Sequence, residues 1–395
     1  MRKVKDIKTY IGNLTTEIDR AYDDIITVEH RSNNPKRDYL FVNKIQCKHI
    51  PNSPSAMIKM CKDLAYRISI KDKSKTLVIG FAETATAIGS IVAENILVRN
   101  RDDIYVMHTT REDIERSLDI INFEEEHSHA TTQKLSGHKD FNINDFKTII
   151  FVEDEISTGN TIINFVKAFK EKYDVNDMEF IVASICNWQS EENKAKFTEN
   201  NIWAHSLIAG KLKDVKAKMF SKEPRLKDTI NIDTTNRKEY EIHDFNIDDK
   251  VYLSERLGHN RTTEVAHLDE IKNLCKEAKT VRVIGTEEFM TIPIKIGAEL
   301  EKQGKTVLCH STTRSKIDVL KDSLFDGHAS GIKSRYEVKS FYDNERKTYI
   351  YNLEEKVDLT LIITDTPDKN QFNKALKSVA QALGDNTNKI IGIRL

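Results

Sequence analysis

Three things are scarce in this 395-residue chain. It has no excess of charge, with 61 Lys and Arg against 62 Asp and Glu and a formal net charge of −1. A protein without a basic field has nothing to hold a nucleic-acid backbone in bulk, so any phosphate recognition must be local. No apolar run approaches the roughly 18 residues of a membrane span. The opening MRKVKDIKTYIGNLTTEID is basic but lacks the apolar centre of an export signal. The five cysteines are scattered as Cys47, Cys61, Cys186, Cys275 and Cys309, and no CxxC pair occurs. A disulfide framework and a structural zinc site are therefore not expected, and a reducing cytoplasm is the natural setting.

What remains is an ordinary globular balance, 39% apolar and 31% charged, long enough for about two domains. Short apolar runs alternate with longer amphipathic stretches, the pattern of an α/β fold with a largely parallel sheet. The first half predicts strands at Thr76–Gly80, Ile104–His108, Lys147–Val152 and Glu179–Ile185. Its helices are predicted near Ser55–Ile70, Ala85–Val98, Thr161–Lys172 and Glu191–Asn200. The second half predicts strands at Thr280–Gly285, Thr306–His310, Tyr349–Leu353, Leu359–Thr364 and Lys389–Leu395, with helices near Thr263–Glu277, Pro293–Lys302 and Gln371–Leu383. Between them, Lys211–Lys250 is polar and reads as a connector with some local helix, which places the domains at 1–225 and 226–395.

The halves echo each other in one order, roughly 200 residues apart. Val78-Ile79-Gly80-Phe81-Ala82-Glu83 is answered by Val283-Ile284-Gly285-Thr286-Glu287-Glu288. Thr109-Thr110-Arg111 is answered by Thr312-Thr313-Arg314, and Glu153-Asp154 by Thr364-Asp365. The expectation is that the second domain is a diverged copy of the first.

The sharpest local signal is Ile149-Ile150-Phe151-Val152-Glu153-Asp154-Glu155-Ile156-Ser157-Thr158-Gly159-Asn160-Thr161. An apolar strand ends in two acids, and a small polar loop then opens a helix. Ligands of open α/β sheets sit beyond the carboxyl ends of the strands. Hydroxyls and N–H groups of Ser157, Thr158, Gly159, Asn160 and Thr161 suit a phosphate at the positive end of that helix. Glu153 and Asp154 suit ribose hydroxyls, directly or through a magnesium shell. Gly80 and Glu83 occupy another strand-to-helix turn, and Arg111 follows the next strand.

The segment resembles the signature of type I phosphoribosyltransferases for 5-phosphoribosyl-1-diphosphate (PRPP), with Glu155 standing where an apolar residue is usual. The resemblance implies that Arg111 and the Gly80 loop face the diphosphate. It implies that the stretch Phe123–Ala130, with His127 and His129, is a flap that excludes water and contacts diphosphate or moves a proton. It also implies that the basic segment Arg31–His49 belongs to a hood over the acceptor.

Together the blocks NPKRDYLFVNK, KHIP, GFAETATAIG, TTRE, FEEEHSHAT, EDEISTGNT, GTEEFM, STTRSK and YIYNL resemble the phosphoribosyltransferase-plus-TRSP-domain proteins of bacterial tellurium-resistance-type stress gene clusters. Lys316 departs from the proline usual after Thr313-Arg314-Ser315. The resemblance implies an orotate-phosphoribosyltransferase-like enzyme that uses PRPP with Mg²⁺ on an unidentified nitrogenous acceptor, or runs in reverse, in the making of a nucleoside-like metabolite. A homodimer is compatible with it. The other readings of the same residues are a PRPP- or nucleotide-sensing regulator, and a hydrolase or another phosphosugar enzyme on the same fold. In the second domain Thr366-Pro367-Asp368-Lys369 replaces the Thr-Gly-x-Thr loop, so PRPP is not expected to bind there in the same way.

Overall fold

The computed structural model describes residues 2–9, 12–19, 22, 24–31, 37–71, 75–96, 103–114, 117–124, 132–173, 175, 177–213, 230, 232, 239–245, 256–260, 264–320 and 331–395. By contacts the chain forms two compact units that interleave along the sequence. One comprises Met1–Asp23, Lys59–Ala217 and Leu253–Thr263, and the other Asp24–Ile58, Lys218–Tyr252 and Glu264–Leu395.

The first unit is built on β1 (Thr76–Gly80), α1 (Thr86–Asn95), β2 (Ile104–His108), β3 (Leu118–Glu124), β4 (Thr132–Gly137), β5 (Thr148–Ile156), α2 (Asn160–Lys172), β6 (Glu179–Asn187), α3 (Glu191–Glu199) and β7 (Ile202–Lys213). Strands β7, β6, β5, β1 and β2 lie side by side in that order, all parallel. The antiparallel strands Arg2–Thr9 and Gly12–Asp19 extend one edge, and the short His259–Asn260 pairs with β2 at the other. Every residue of β1 is buried, as expected of a parallel strand covered on both faces. Phe81, Phe151, Phe165, Phe169 and Phe180 centre the apolar core. Each such side chain, fully buried, contributes roughly 1.5–3 kcal/mol.

The second unit contains β8 (Thr280–Thr286), α4 (Thr291–Lys302), β9 (Thr306–Thr312), β10 (Arg335–Lys339), β11 (Lys347–Tyr351), β12 (Val357–Thr364), α5 (Lys369–Leu383) and β13 (Thr387–Arg394). Its sheet runs Glu241–Asp244, β13, β12, β8, β9, again all parallel. Taken in chain order, β8, β9, β12 and β13 stand in the same lateral order as β1, β2, β5 and β6. In both units an antiparallel hairpin, β3–β4 or β10–β11, is inserted between the second and third of these strands.

Residues 24–58 cluster with the second unit rather than the first. Their hairpin Ile26–His30 with Tyr39–Asn43 puts His30 3.0 Å from Asp318, which also takes Arg335 at 3.0 Å. The expected connector also differs, since Lys211–Lys213 belong to β7 and Glu241–Asp244 is a strand.

Candidate functional site

Register brings the first unit's candidates to one end of its sheet. Gly80 pairs with His108 on one side and Val152 on the other. The Phe81–Glu83 turn, Thr109–Arg111 and, in the last residues of β5, Glu153–Asp154 therefore stand at the same end of three adjacent strands. The chain passes from β1 to β2 on one side and has β5 on the other, so the crevice between β1 and β5 is the topological switch point.

The turn after β1 is tight: a Cβ on Gly80 would lie 2.7 Å from the Ala85 carbonyl oxygen. The Ala82–Glu83 peptide is cis, and Glu83 is buried. Thr109 Oγ1 accepts the Ala82 N–H at 2.8 Å and donates to Gln133 of β4, whose amide returns to the Ala82 carbonyl at 2.9 Å. Thr110 exchanges backbone hydrogen bonds with Lys134 on the same hairpin. Arg111, directly after it, is half-buried.

Strand β5 runs further than its apolar residues, to Ile156. Glu153 and Glu155 remain in register with Ser184 and Cys186, so the polar Glu155 is accommodated as an ordinary ladder residue. Glu153, Asp154 and Glu155 are each half-buried, and Glu153 Oε1 accepts the Asp154 N–H at 3.1 Å. Burial, and after it the charges of Glu155 and Asp154, push the Cys186 thiol well above its usual range. It is therefore not a thiolate nucleophile.

The loop Ser157–Gly159 then reverses into α2. Gly159 sits in the left-handed region at φ 82° as the residue before the helix, and Thr158 Oγ1 accepts the Asn160 N–H at 3.3 Å. The first N–H groups of a helix have no partner within it, so this turn presents donors and the helix dipole together. Two residues that no sequence motif singles out hold the loop. Gln189 donates through Nε2 to the Thr158 carbonyl at 3.3 Å, and Phe197 of α3 packs on Gly159. Both border a cavity of about 630 Å³ lined also by Arg67, Asn187, Lys194 and His205. The signal for Gln189 in the sequence is positional: Trp188-Gln189 directly follows the strand next to the acids, which ends at Asn187. His127 and His129 lie outside the described residues.

Glu153 and Asp154 are carboxylates of the type that could hold a metal. Among the described residues no group of three or more His, Cys, Asp or Glu converges as a metal cage. Two carboxylates at a strand end fit magnesium, which takes few protein ligands and keeps waters and substrate oxygens.

The second unit repeats part of this arrangement at the ends of β8, β9 and β12. Glu287 and Glu288 are buried there, Arg314 contacts both, and Asp365 accepts the Tyr342 hydroxyl. Its helix α5 opens differently, with Asp368 capping the N–H groups of Asn370 and Gln371 at 2.8 and 3.0 Å.

Residues 25–209 match the family described as phosphoribosyl transferase, and residues 252–383 match the TRSP domain that follows it. No curated protein matches the chain in sequence. Among solved structures the chain is similar to the adenine phosphoribosyltransferase of Rhodothermus marinus, at 10% identity over 47% of this chain and 94% of that one, with a TM-score of 0.34. The Trypanosoma brucei adenine phosphoribosyltransferase gives 9% identity, 47% and 77% coverage and a TM-score of 0.32. A hypoxanthine phosphoribosyltransferase of Staphylococcus aureus gives 16%, 36%, 67% and 0.23. No helix among the described residues is long and apolar enough to cross a membrane.

Proposed function

Since the chain belongs to the proteins that join a phosphoribosyltransferase domain to a TRSP domain, and is thus an enzyme of the glycosyltransferase type, we propose that its first unit transfers ribose 5-phosphate from Mg-PRPP to a nitrogenous acceptor. The observation that carries this reading is the register that aligns Gly80, His108 and Val152, setting two acids, an arginine and a Gly159-opened helix at one sheet end.

In this reading Ser157, Thr158, Gly159, Asn160 and Thr161 cradle the 5-phosphate through N–H groups, hydroxyls and the dipole of α2. Glu153 and Asp154 accept from the ribose hydroxyls and would hold magnesium, which when bound neutralises diphosphate charge. Arg111 and the Gly80 turn, with Glu83, face the diphosphate. The bond from C1 of the ribose to diphosphate oxygen breaks, the C1–N bond forms, and the acceptor nitrogen gives up a proton; the reverse direction runs the same steps backwards. An arginine placed where charge develops on the leaving group lowers the barrier more than one that binds substrate and transition state equally. His127 and His129 are assigned to the flap, to exclude water and move that proton. The product class is a nucleoside-like metabolite of a stress-response pathway.

The test is calorimetric titration of PRPP with and without Mg²⁺, on wild type and Asp154→Asn. Magnesium-dependent binding that weakens at least about tenfold in the variant, roughly 1.4 kcal/mol, is expected. Wild-type protein that takes up no PRPP would overturn the reading. Binding without diphosphate release to any acceptor would convert it to that of a sensor.

A further inference from the structure

The two units share hydrogen bonds as well as strand order. In the first, the Ala82 N–H donates to Thr109 Oγ1 and Thr110 exchanges backbone bonds with Lys134. In the second, the Glu287 N–H donates to Thr312 Oγ1 at 3.2 Å and Thr313 exchanges backbone bonds with Tyr349. These bonds set Glu287 at the position of Ala82, Glu288 at that of Glu83 and Arg314 at that of Arg111. Gly285 answers Gly80 in geometry too: a Cβ there would lie 2.7 Å from the Phe289 carbonyl oxygen. Helices α1 and α4 open at Thr86 and Thr291, at equal distances from the two glycines.

One position differs in kind. Where the first unit has a methyl group, the second has the fully buried carboxylate of Glu287. It receives Arg314 Nε at 2.9 Å, Arg346 Nη1 at 3.1 Å and the Ser340 hydroxyl. Two guanidinium groups and a hydroxyl converging on one anion are the donor set of an oxyanion receptor. A carboxylate this buried is tolerated because those cations neutralise it. In the first turn of α4, Thr291 Oγ1 is fully buried and has no hydrogen-bond partner among the described residues, a hydroxyl left without an acceptor in the same helix start.

We propose that the second unit is a second copy of the phosphoribosyltransferase core whose diphosphate position is filled by its own Glu287. The unit is then an oxyanion receptor held shut by its own carboxylates, Glu287 between the two guanidinium groups with Glu288 also on Arg314 and Asp343 also on Arg346, and its latent ligand class is diphosphate. It takes no PRPP, because Asp368 and Pro367 also close the helix end where a 5-phosphate would sit. The proposal rests on the assignment of Arg111 and the Gly80 turn to diphosphate.

The experiment uses the full chain and inorganic pyrophosphate. Wild type, Glu287→Ala (which installs the first unit's residue), Arg314→Gln and the double variant are titrated by calorimetry and melted with and without pyrophosphate. Glu287→Ala should bind one equivalent more than wild type, and the double variant should lose it. If alanine weakens the fold, pyrophosphate should raise its melting temperature while leaving wild type's second unit unaffected, and Glu287→Gln provides a variant of equal volume. Equal stoichiometry and no pyrophosphate-dependent rise in melting temperature in either Glu287 variant would overturn the proposal. So would a wild-type equivalent that Arg314→Gln removes, because Arg314 would then be meeting an outside anion with Glu287 in place. The comparison turns on Glu287 and Arg314, both in the second unit, so wild-type protein that takes up no PRPP in the first unit leaves it readable.

Discussion

The ring of Phe197 lies so close over Gly159 that a Cβ on the glycine would come within 2.3 Å of Phe197 Cε1. The same residue has φ 82°. The loop that opens α2 is thus set twice, by a backbone conformation suited to glycine and by a ring that leaves no room for anything else.

Gly159→Ala should therefore cost more than the conformation alone. Left-handed geometry costs an ordinary residue about 1–2 kcal/mol, and displacing the ring should add about 1–3 kcal/mol. Gly304 is the control, with the same φ of 82° and nothing within 4 Å of the place where an alanine methyl would stand. Denaturant unfolding of the two alanine variants compares them. Equal losses would show that Phe197 yields freely, whereas a larger loss at Gly159, together with weakened PRPP binding, is expected.

Thr109 joins three segments of the first unit, so Thr109→Val should act on the site as well as on the fold. The variant leaves the Ala82 N–H and the Gln133 carbonyl oxygen without that hydroxyl, at a cost of about 1–3 kcal/mol. We expect the rate of diphosphate release to fall by roughly tenfold or more, as for about 1.4 kcal/mol of lost transition-state stabilisation. Thr109→Ser, which keeps the oxygen, should restore most of it. Rescue failing with serine would mean that the methyl group, not the hydrogen bonds, holds the turn.

His310 should make stability depend on pH. It is fully buried on β9, neither ring nitrogen has a hydrogen-bond partner among the described residues, and burial, reinforced by Arg282, holds its pKa well below the usual histidine range. Above about pH 6.5 the ring is neutral in both folded and unfolded chains and contributes no pH dependence. Below that value the unfolded chain takes up a proton that the folded chain refuses, so stability falls as pH falls, by at most ~1.4 kcal/mol per pH unit for this residue. Unfolding midpoints between pH 7.5 and 5 for wild type and His310→Phe measure the difference. A slope unchanged by the substitution would show that His310 is protonated within the fold.

Strands β1 and β2 are legible to the residue, because each is a short apolar run bounded by polar residues. Strand β5 is legible only to Val152. Beyond it stand Glu153, Asp154 and Glu155, which no hydrophobic pattern assigns to a strand, and it is the ladder to Ser184 and Cys186 that extends it. The hairpins β3–β4 and β10–β11 are not legible as pairs, since their strands are short, mixed in polarity and stabilised by each other rather than by a local repeat. The resemblance makes the basic Arg31–His49 a hood over the first domain. Among its described residues, Lys48 is buried and donates to the Glu287 carbonyl, a partner that no local pattern in the segment names.

What the sequence determined by itself is everything that a few neighbouring residues can demand: buried runs that must be strands, a glycine where the backbone turns left-handed, acids and hydroxyls at fixed spacing around a helix start. Those demands are local and survive wherever the segment lies. The tertiary structure alone decided which distant partner each group met. Ala82 and Glu287 occupy matching turns, yet only packing shows that Glu287 draws Arg314 and Arg346 onto itself. Gln189 and Phe197 bear on the Thr158–Gly159 loop for the same reason, since strand register and helix packing, set by long-range contacts, bring together residues that no local pattern connects.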